Sequence, residues 1–167
     1  MRRFASLLGL TVLTVIVCYL AGRWRVEAIP ILLFGMTVAI AYNQEVALLL
    51  TAAIGLIVVL LLGQGLALFV ILVAATSTAV LMLRRVRSRV KLVYVGFCAG
   101  VVAMLTAVGV NVVAGQPLDQ AVLLDAGKFF LWGLMSGFAM TGLLPFIETL
   151  FGVLTEISLL ELGDVAH

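Results

Sequence analysis

Residues 46–83 read VALLLTAAIGLIVVLLLGQGLALFVILVAATSTAVLML, thirty-eight consecutive positions without a charged side chain. As one helix at ~1.5 Å per residue this run would measure about 57 Å, far more than a hydrocarbon core of about 30 Å. Near its middle stands Gly63-Gln64-Gly65, two glycines flanking an amide, which breaks a helix. The stretch therefore predicts two membrane-spanning helices, about 45–62 and 66–83, joined by a tight turn.

The same pattern extends in both directions. Upstream, Asn43-Gln44-Glu45 marks a polar turn, preceded by an apolar segment that opens at Ile29-Pro30, where proline suits a first helical turn, and closes at Tyr42. At about 22 Å this segment is short for a bilayer, so a spanning and a re-entrant path both stay open. Before it, Met1-Arg2-Arg3 leads into an uncharged run from Phe4 to Gly22. That run is too long for the apolar region of a signal peptide and lacks a small-x-small cleavage site before Arg23, so it reads as a first spanning helix. Downstream, a fifth helix is expected over Leu92–Val113, ended by Gly115 and Pro117, and a sixth from Asp119 or Leu124 to Phe146.

Composition agrees. The 167 residues are 65% hydrophobic and 11% charged, against roughly 25% charged in soluble domains. The fold expected is all-α, a polytopic transmembrane bundle of about six spanning helices with little mass outside the lipid. With six spans both termini share one side. Arg84-Arg85-Val86-Arg87-Ser88-Arg89-Val90-Lys91 packs five positive charges into eight residues without an acid. Counted with Arg2 and Arg3, seven basic residues lie on the side of the termini and three, Arg23, Arg25 and Lys128, on the other. The positive-inside rule thus favours cytoplasmic termini. A net charge of +2 gives no footprint for nucleic acid.

Polar groups inside the apolar runs are the candidates for function. Asp125 and Lys128 sit at i, i+3 on one helix face, either as a snorkelling interfacial pair or as a contact for a ligand or ion. Asn111 is an amide well inside the fifth run, and Thr76-Ser77-Thr78 is a hydroxyl cluster in the fourth; both suit hydrogen bonds within or between helices, or ligand contact. Gly96-x-x-x-Gly100 and Gly133-x-x-x-Gly137 are small faces for close helix approach, within one chain or in a homodimer. Cys18 and Cys98 lie in apolar runs and read as small buried hydrophobes. No acid pair, nucleophile elbow, phosphate loop or metal cluster is visible, and the one histidine is His167. The chain itself is expected to be non-catalytic and to carry no cofactor.

After Pro145, expected to kink or end the last helix, Glu148, Glu156, Glu161 and Asp164 are set among Leu150, Leu154, Ile157 and Leu160. This apolar spacing suits an amphipathic connector leaving the membrane, with a break at Gly152 and a short strand as the alternative over Leu159–Leu162. The division expected is a transmembrane domain over 1–147 and a cytoplasmic connector over 148–167; Pro145 at the end of the first and Glu148, Gly152, Glu161 and Asp164 in the second are the candidate signal-connector residues.

The run Gly142-Leu143-Leu144-Pro145-Phe146-Ile147-Glu148-Thr149-Leu150-Phe151-Gly152-Val153-Leu154-Thr155, with Leu159–Leu162 and Asp164–His167 after it, resembles a known junction. It is similar to the one between the last transmembrane helix and the HD domain in bacterial membrane-associated HD-domain phosphohydrolases of the PgpH type, seven-transmembrane receptors with an intracellular HD hydrolase domain. Ala41-Tyr42-Asn43-Gln44-Glu45 and the Arg84–Lys91 loop look like that family's membrane block. The resemblance implies an extracellular domain and one further transmembrane helix before this region and a cytoplasmic HD domain after it. In that domain histidines and aspartates hold a divalent metal pair that hydrolyses cyclic di-AMP. None of those ligands has a counterpart here, and His167 resembles the linker histidine. The implied role is a transmembrane sensor or anchor for a cyclic di-AMP phosphodiesterase, with the lipid bilayer, its own HD domain and a second copy as partners. Two other readings are a six-helix solute-binding membrane component of a vitamin-type transporter and a scaffold for cell-envelope machinery.

Overall fold

The computed structural model describes residues 2–22, 26–83 and 89–151. Six helices follow one another: α1 (Arg2–Gly22), α2 (Ala28–Ala41), α3 (Gln44–Leu61), α4 (Leu66–Met82), α5 (Arg89–Val113) and α6 (Gln120–Phe151). The described residues contain no strand. The expected break falls where the glycines stand. Gly63 adopts φ +61° and Gly115 φ +70°, and the next N–H in each case reaches back five residues, Gln64 to Val59 O and Gln116 to Asn111 O, both at 3.0 Å. This left-handed closure satisfies carbonyls that the ending helix leaves without partners, and a side chain at the turn position would strain it.

Three helical segments are long and apolar enough to cross a membrane: Gln44–Leu61, Val90–Val113 and Gln120–Thr149; Ser6–Gly22, Ala28–Ala41 and Leu66–Met82 are apolar but shorter. Helix α2, at 14 residues, spans about 21 Å. It nevertheless runs the depth of the bundle. Its N-cap Glu27 lines one cleft with Gln64, just past the close of α3; its middle sets Gly35 against Thr51 of α3; its other end meets the 42–43 turn that opens α3. A short helix is tolerated because it is enclosed by protein: eight of its residues are buried, among them Ile31, Leu32, Phe34, Met36 and Val38.

The tightest packing joins α5 to α6. A Cβ placed on Gly96 would sit 2.6 Å from Gly137 Cα and 2.7 Å from Gly133 O, and one on Gly100 would sit 2.6 Å from Phe130 O. The two small-residue faces thus interlock antiparallel within one chain, backbone on backbone. Phe97 and Phe130 add an edge-to-face contact, 5.5 Å between ring centroids. Around this hairpin, Leu92, Val95, Ala99, Ala103 and Met140 join Leu32, Met36, Ala75 and Ala79 in one core cluster. A second cluster gathers Cys18, Phe34, Val38, Ile54, Val58 and Leu72.

Pro145 does not end the last helix, which continues to Phe151. Proline forfeits one backbone hydrogen bond, but it lies on the exposed side while its neighbours Leu144 and Ile147 are buried, so the packing holds the helix through it. The polar side chains are handled locally. Thr14, Thr37, Thr51, Thr76, Thr78, Thr106 and Ser136 each donate to the carbonyl four residues earlier, at 2.6–2.8 Å. Between helices, the Gln44 amide donates to Val80 O at 3.0 Å and Leu81 O at 3.3 Å, tying the start of α3 to the end of α4.

Candidate functional site

The turn before α2, the α3–α4 turn and the upper part of α6 meet at one end of the bundle. Together they enclose a cleft of about 310 Å³ lined by Glu27, Gln64, Leu68, Asp125, Lys128, Phe129 and Trp132. Glu27 occupies the N-cap position of α2 and is only 5% exposed; there the positive end of the helix dipole favours its carboxylate. Its backbone carbonyl lies 3.9 Å from the Cys18 sulfur on α1. Gln64 enters the cleft because Gly63 turns the chain back after α3. Asp125 and Lys128, one helical turn apart on α6, form an ion pair at 2.6 Å with side chains 53% and 57% exposed.

Two carboxylates, an ammonium, an amide and an indole thus surround a small space at the edge of an apolar body. An exposed pair of this kind is held by about 1 kcal/mol at most, so either partner can turn to another group. The arrangement suits recognition of a small polar solute. Among the described residues no three His, Cys, Asp or Glu side chains stand close enough to share a metal ion.

Of the residues singled out from the sequence, Asp125 and Lys128 are paired and lie in this cleft. Asn111 does not line it; half-buried on α5, its amide donates to Ala107 O at 2.8 Å in its own helix. The hydroxyls of Thr76 and Thr78 are likewise bonded within α4. Pro145 and Glu148 lie in the last turns of α6, where Pro145 O accepts the Thr149 hydroxyl at 2.8 Å. Gly152, Glu161 and Asp164, the rest of the expected connector, fall outside the described residues, as do Arg23, Arg25 and most of the Arg84–Lys91 loop. Sequence reasoning missed Glu27, Gln64 and Trp132. A signal existed for Glu27, an acid set directly before the apolar start of α2, and for Gln64, a lone amide between glycines in a 38-residue uncharged run.

A family model described as "7TM receptor with intracellular HD hydrolase" matches residues 3–155. Among curated proteins, the chain is 32% identical over 105 residues to the cyclic-di-AMP phosphodiesterase PgpH of Listeria monocytogenes serotype 1/2a (strain 10403S), covering 62% of this chain and 14% of that protein. It is 25% identical over 149 residues to the cyclic-di-AMP phosphodiesterase PgpH of Bacillus subtilis (strain 168), covering 83% of this chain and 20% of that protein. The chain therefore spans a fifth or less of the length of these relatives, and no solved structure gives a significant match. With nearly its whole length inside the family match and six apolar helices to fill it, the chain belongs to the family of 7TM receptors with an intracellular HD hydrolase.

Proposed function

We propose that this chain is the transmembrane sensor and anchor region of a membrane-bound HD-family cyclic di-AMP phosphodiesterase, non-catalytic in itself. It lies in the bacterial inner membrane with both ends of the bundle's chain on the cytoplasmic side. The observation that carries the reading is the course of α6. It is one helix of 32 residues, about 48 Å long, with the Asp125–Lys128 pair of the cleft near its start and the connector at its end. A shift of α6 caused at the cleft is thereby delivered to residue 151 and onward through 148–167 to an HD domain. The cleft has a mixed-charge lining suited to an outside solute, and the body between is too apolar to bind one. Coupling then requires two arrangements of the bundle that differ in affinity for the signal.

The test uses the full-length phosphodiesterase in lipid. Lengthening the connector by two residues at Gly152, or stiffening it with Gly152→Ala and Gly163→Ala, is expected to change the rate of cyclic di-AMP hydrolysis. Unchanged hydrolysis in all of these variants would refute coupling and leave anchoring alone. Hydrolysis of cyclic di-AMP by purified residues 1–167 would refute the non-catalytic assignment.

A further inference from the structure

Helix α2 is apolar on every side and more enclosed than its neighbours, packing against α1, α3, α4 and α6. A helix of that kind belongs in the interior of a bundle. One side of it is nevertheless open. Between α1 and the last turns of α6 runs a groove of about 630 Å³, with Pro30, Leu33 and Thr37 of α2 as its floor, Leu13 as one wall and Phe146 as the other. Its hydroxyls are already spent: Thr14 donates to Leu10 O, Thr37 to Leu33 O and Thr149 to Pro145 O. The groove therefore offers mainly shape and dispersion, with no side-chain hydrogen left to donate from these hydroxyls.

One helical turn before each wall residue, outside the groove lining itself, stands a glycine. On α1, Gly9 precedes Leu13 by four residues; on α6, Gly142 precedes Phe146 by four; the i, i+4 spacing places each pair on one helix face. A Cβ at either glycine would meet nothing within 4 Å, whereas Gly96, Gly100, Gly133 and Gly137 are filled by the neighbouring backbone. In a membrane, helices associate through such small steps, where backbones can approach closely. Here the steps are present and no helix of the described chain occupies them.

The helix count identifies the occupant. The family is one of seven-transmembrane receptors, the described residues supply six helices, and the relatives are at least five times longer than the part matched. We infer that the α1–α2–α6 groove seats a seventh transmembrane helix, an apolar segment of about 20 residues from the same polypeptide outside residues 1–167. It would lie along α2 between Leu13 and Phe146, closest to the bundle at Gly9 and Gly142. The seat follows from family membership and the groove, and it holds whether or not the bundle senses a solute.

Disulfide mapping in the full-length protein tests this. In a Cys18→Ala, Cys98→Ala background, Leu13→Cys and Phe146→Cys are each combined with cysteines scanned along the additional apolar helix, with Leu60→Cys and Leu105→Cys as lipid-facing controls. All four positions are exposed, 57%, 73%, 70% and 64%, so folding is not at stake; retained cyclic di-AMP hydrolysis verifies it. The expected result is intramolecular cross-links from Leu13 and Phe146 to one face of the added helix, recurring every three to four residues, with none from Leu60 or Leu105. Gly9→Leu and Gly142→Leu should lower the cross-linked fraction several-fold. Cross-links from the control positions instead would overturn the inference. So would Leu13–Leu13 or Phe146–Phe146 links between two copies, or an active protein in which neither groove position cross-links and lipid alone fills the space.

Discussion

Replacing Gly96 by alanine is the sharpest perturbation of this bundle. The new Cβ would lie 2.6 Å from Gly137 Cα, 2.7 Å from Gly133 O and 2.8 Å from Gly137 N, all backbone atoms that cannot rotate away. Carbon pairs rest at about 3.5–4.0 Å, so α5 and α6 must part locally by about 1 Å, a gap that forfeits up to half of each pair's ~0.1–0.2 kcal/mol. Over about thirty atom pairs along the interlock that loss is about 1.5–3 kcal/mol, in line with the ~1–3 kcal/mol of overpacked cores. Alanine also gains about 0.5–1 kcal/mol of helix preference over glycine, which masks part of the loss. Gly109→Ala on the same helix isolates it, because a Cβ there meets nothing within 4 Å. The difference between the two variants removes the shared helix preference and is expected to be about 1.5–3 kcal/mol, a tenfold or larger change in the unfolding equilibrium. Reversible unfolding in mixed micelles measures it. The effect should be independent of protein concentration, since both glycine faces are used within one chain. Equal stabilities for the two variants, or an effect that vanishes on dilution, would refute the interlock.

Four further outcomes follow from the packing. Gly35→Ala should cost about 1–2 kcal/mol, because its Cβ would meet Thr51 Cγ2 at 2.8 Å while Thr51 is pinned to Ala47 O at 2.6 Å. Adding Thr51→Ser, which keeps the hydroxyl and removes that methyl, should restore most of the loss in a double-mutant cycle. Gly63→Ala and Gly115→Ala should each lower stability by about 1 kcal/mol through their left-handed backbone, which thermal melts against Gly109→Ala would show. Gln44→Leu should cost about 1 kcal/mol and speed amide exchange near Leu83, because it frees the end of α4. For Asp125 and Lys128, a cycle of single and double alanine variants should give a coupling of at most about 1 kcal/mol that shrinks with salt; a salt-independent value above that would contradict the exposed geometry.

Legibility varied with how local the cause was. The division of residues 46–83 is a length argument, and α3 and α4 end within a residue of the expected limits because the two glycines near the midpoint let the chain turn there, Gly63 taking φ +61° and Gly65 capping α4. The two Gly-x-x-x-Gly faces could be found from spacing, but not their partner. Their antiparallel match, Gly96 with Gly137 and Gly100 with Gly133, belongs to the hairpin, not to either helix. Of the two effects expected of Pro145, a kink or an end, the end does not occur: its lost hydrogen bond is local, whereas buried Leu144 and Ile147 hold the helix on either side of it. The cleft was half visible. Asp125 and Lys128 share a helix turn and so a spacing, but Glu27 and Gln64 reach them only through two turns far apart in the chain, and no periodicity encodes that meeting.

How the bundle can change shape depends on where its polar bonds are. The hydroxyls of α1, α2, α3, α4, α5 and α6 described above close onto their own helices, as does Asn111, so sliding or tilting those helices breaks none of these bonds. What resists motion is packing, and packing is tightest between α5 and α6, where backbone meets backbone. These two helices therefore move as one body, carrying α2 where it leans on α6. In the proposed sensor, a change at the cleft reaches the connector as a displacement of that hairpin, and its weakest point is Pro145, where α6 lacks one hydrogen bond six residues before its end. A seventh helix lying on α2 and α6 would touch the moving body directly, so its seat would also be a place where the equilibrium between two arrangements of the bundle is set.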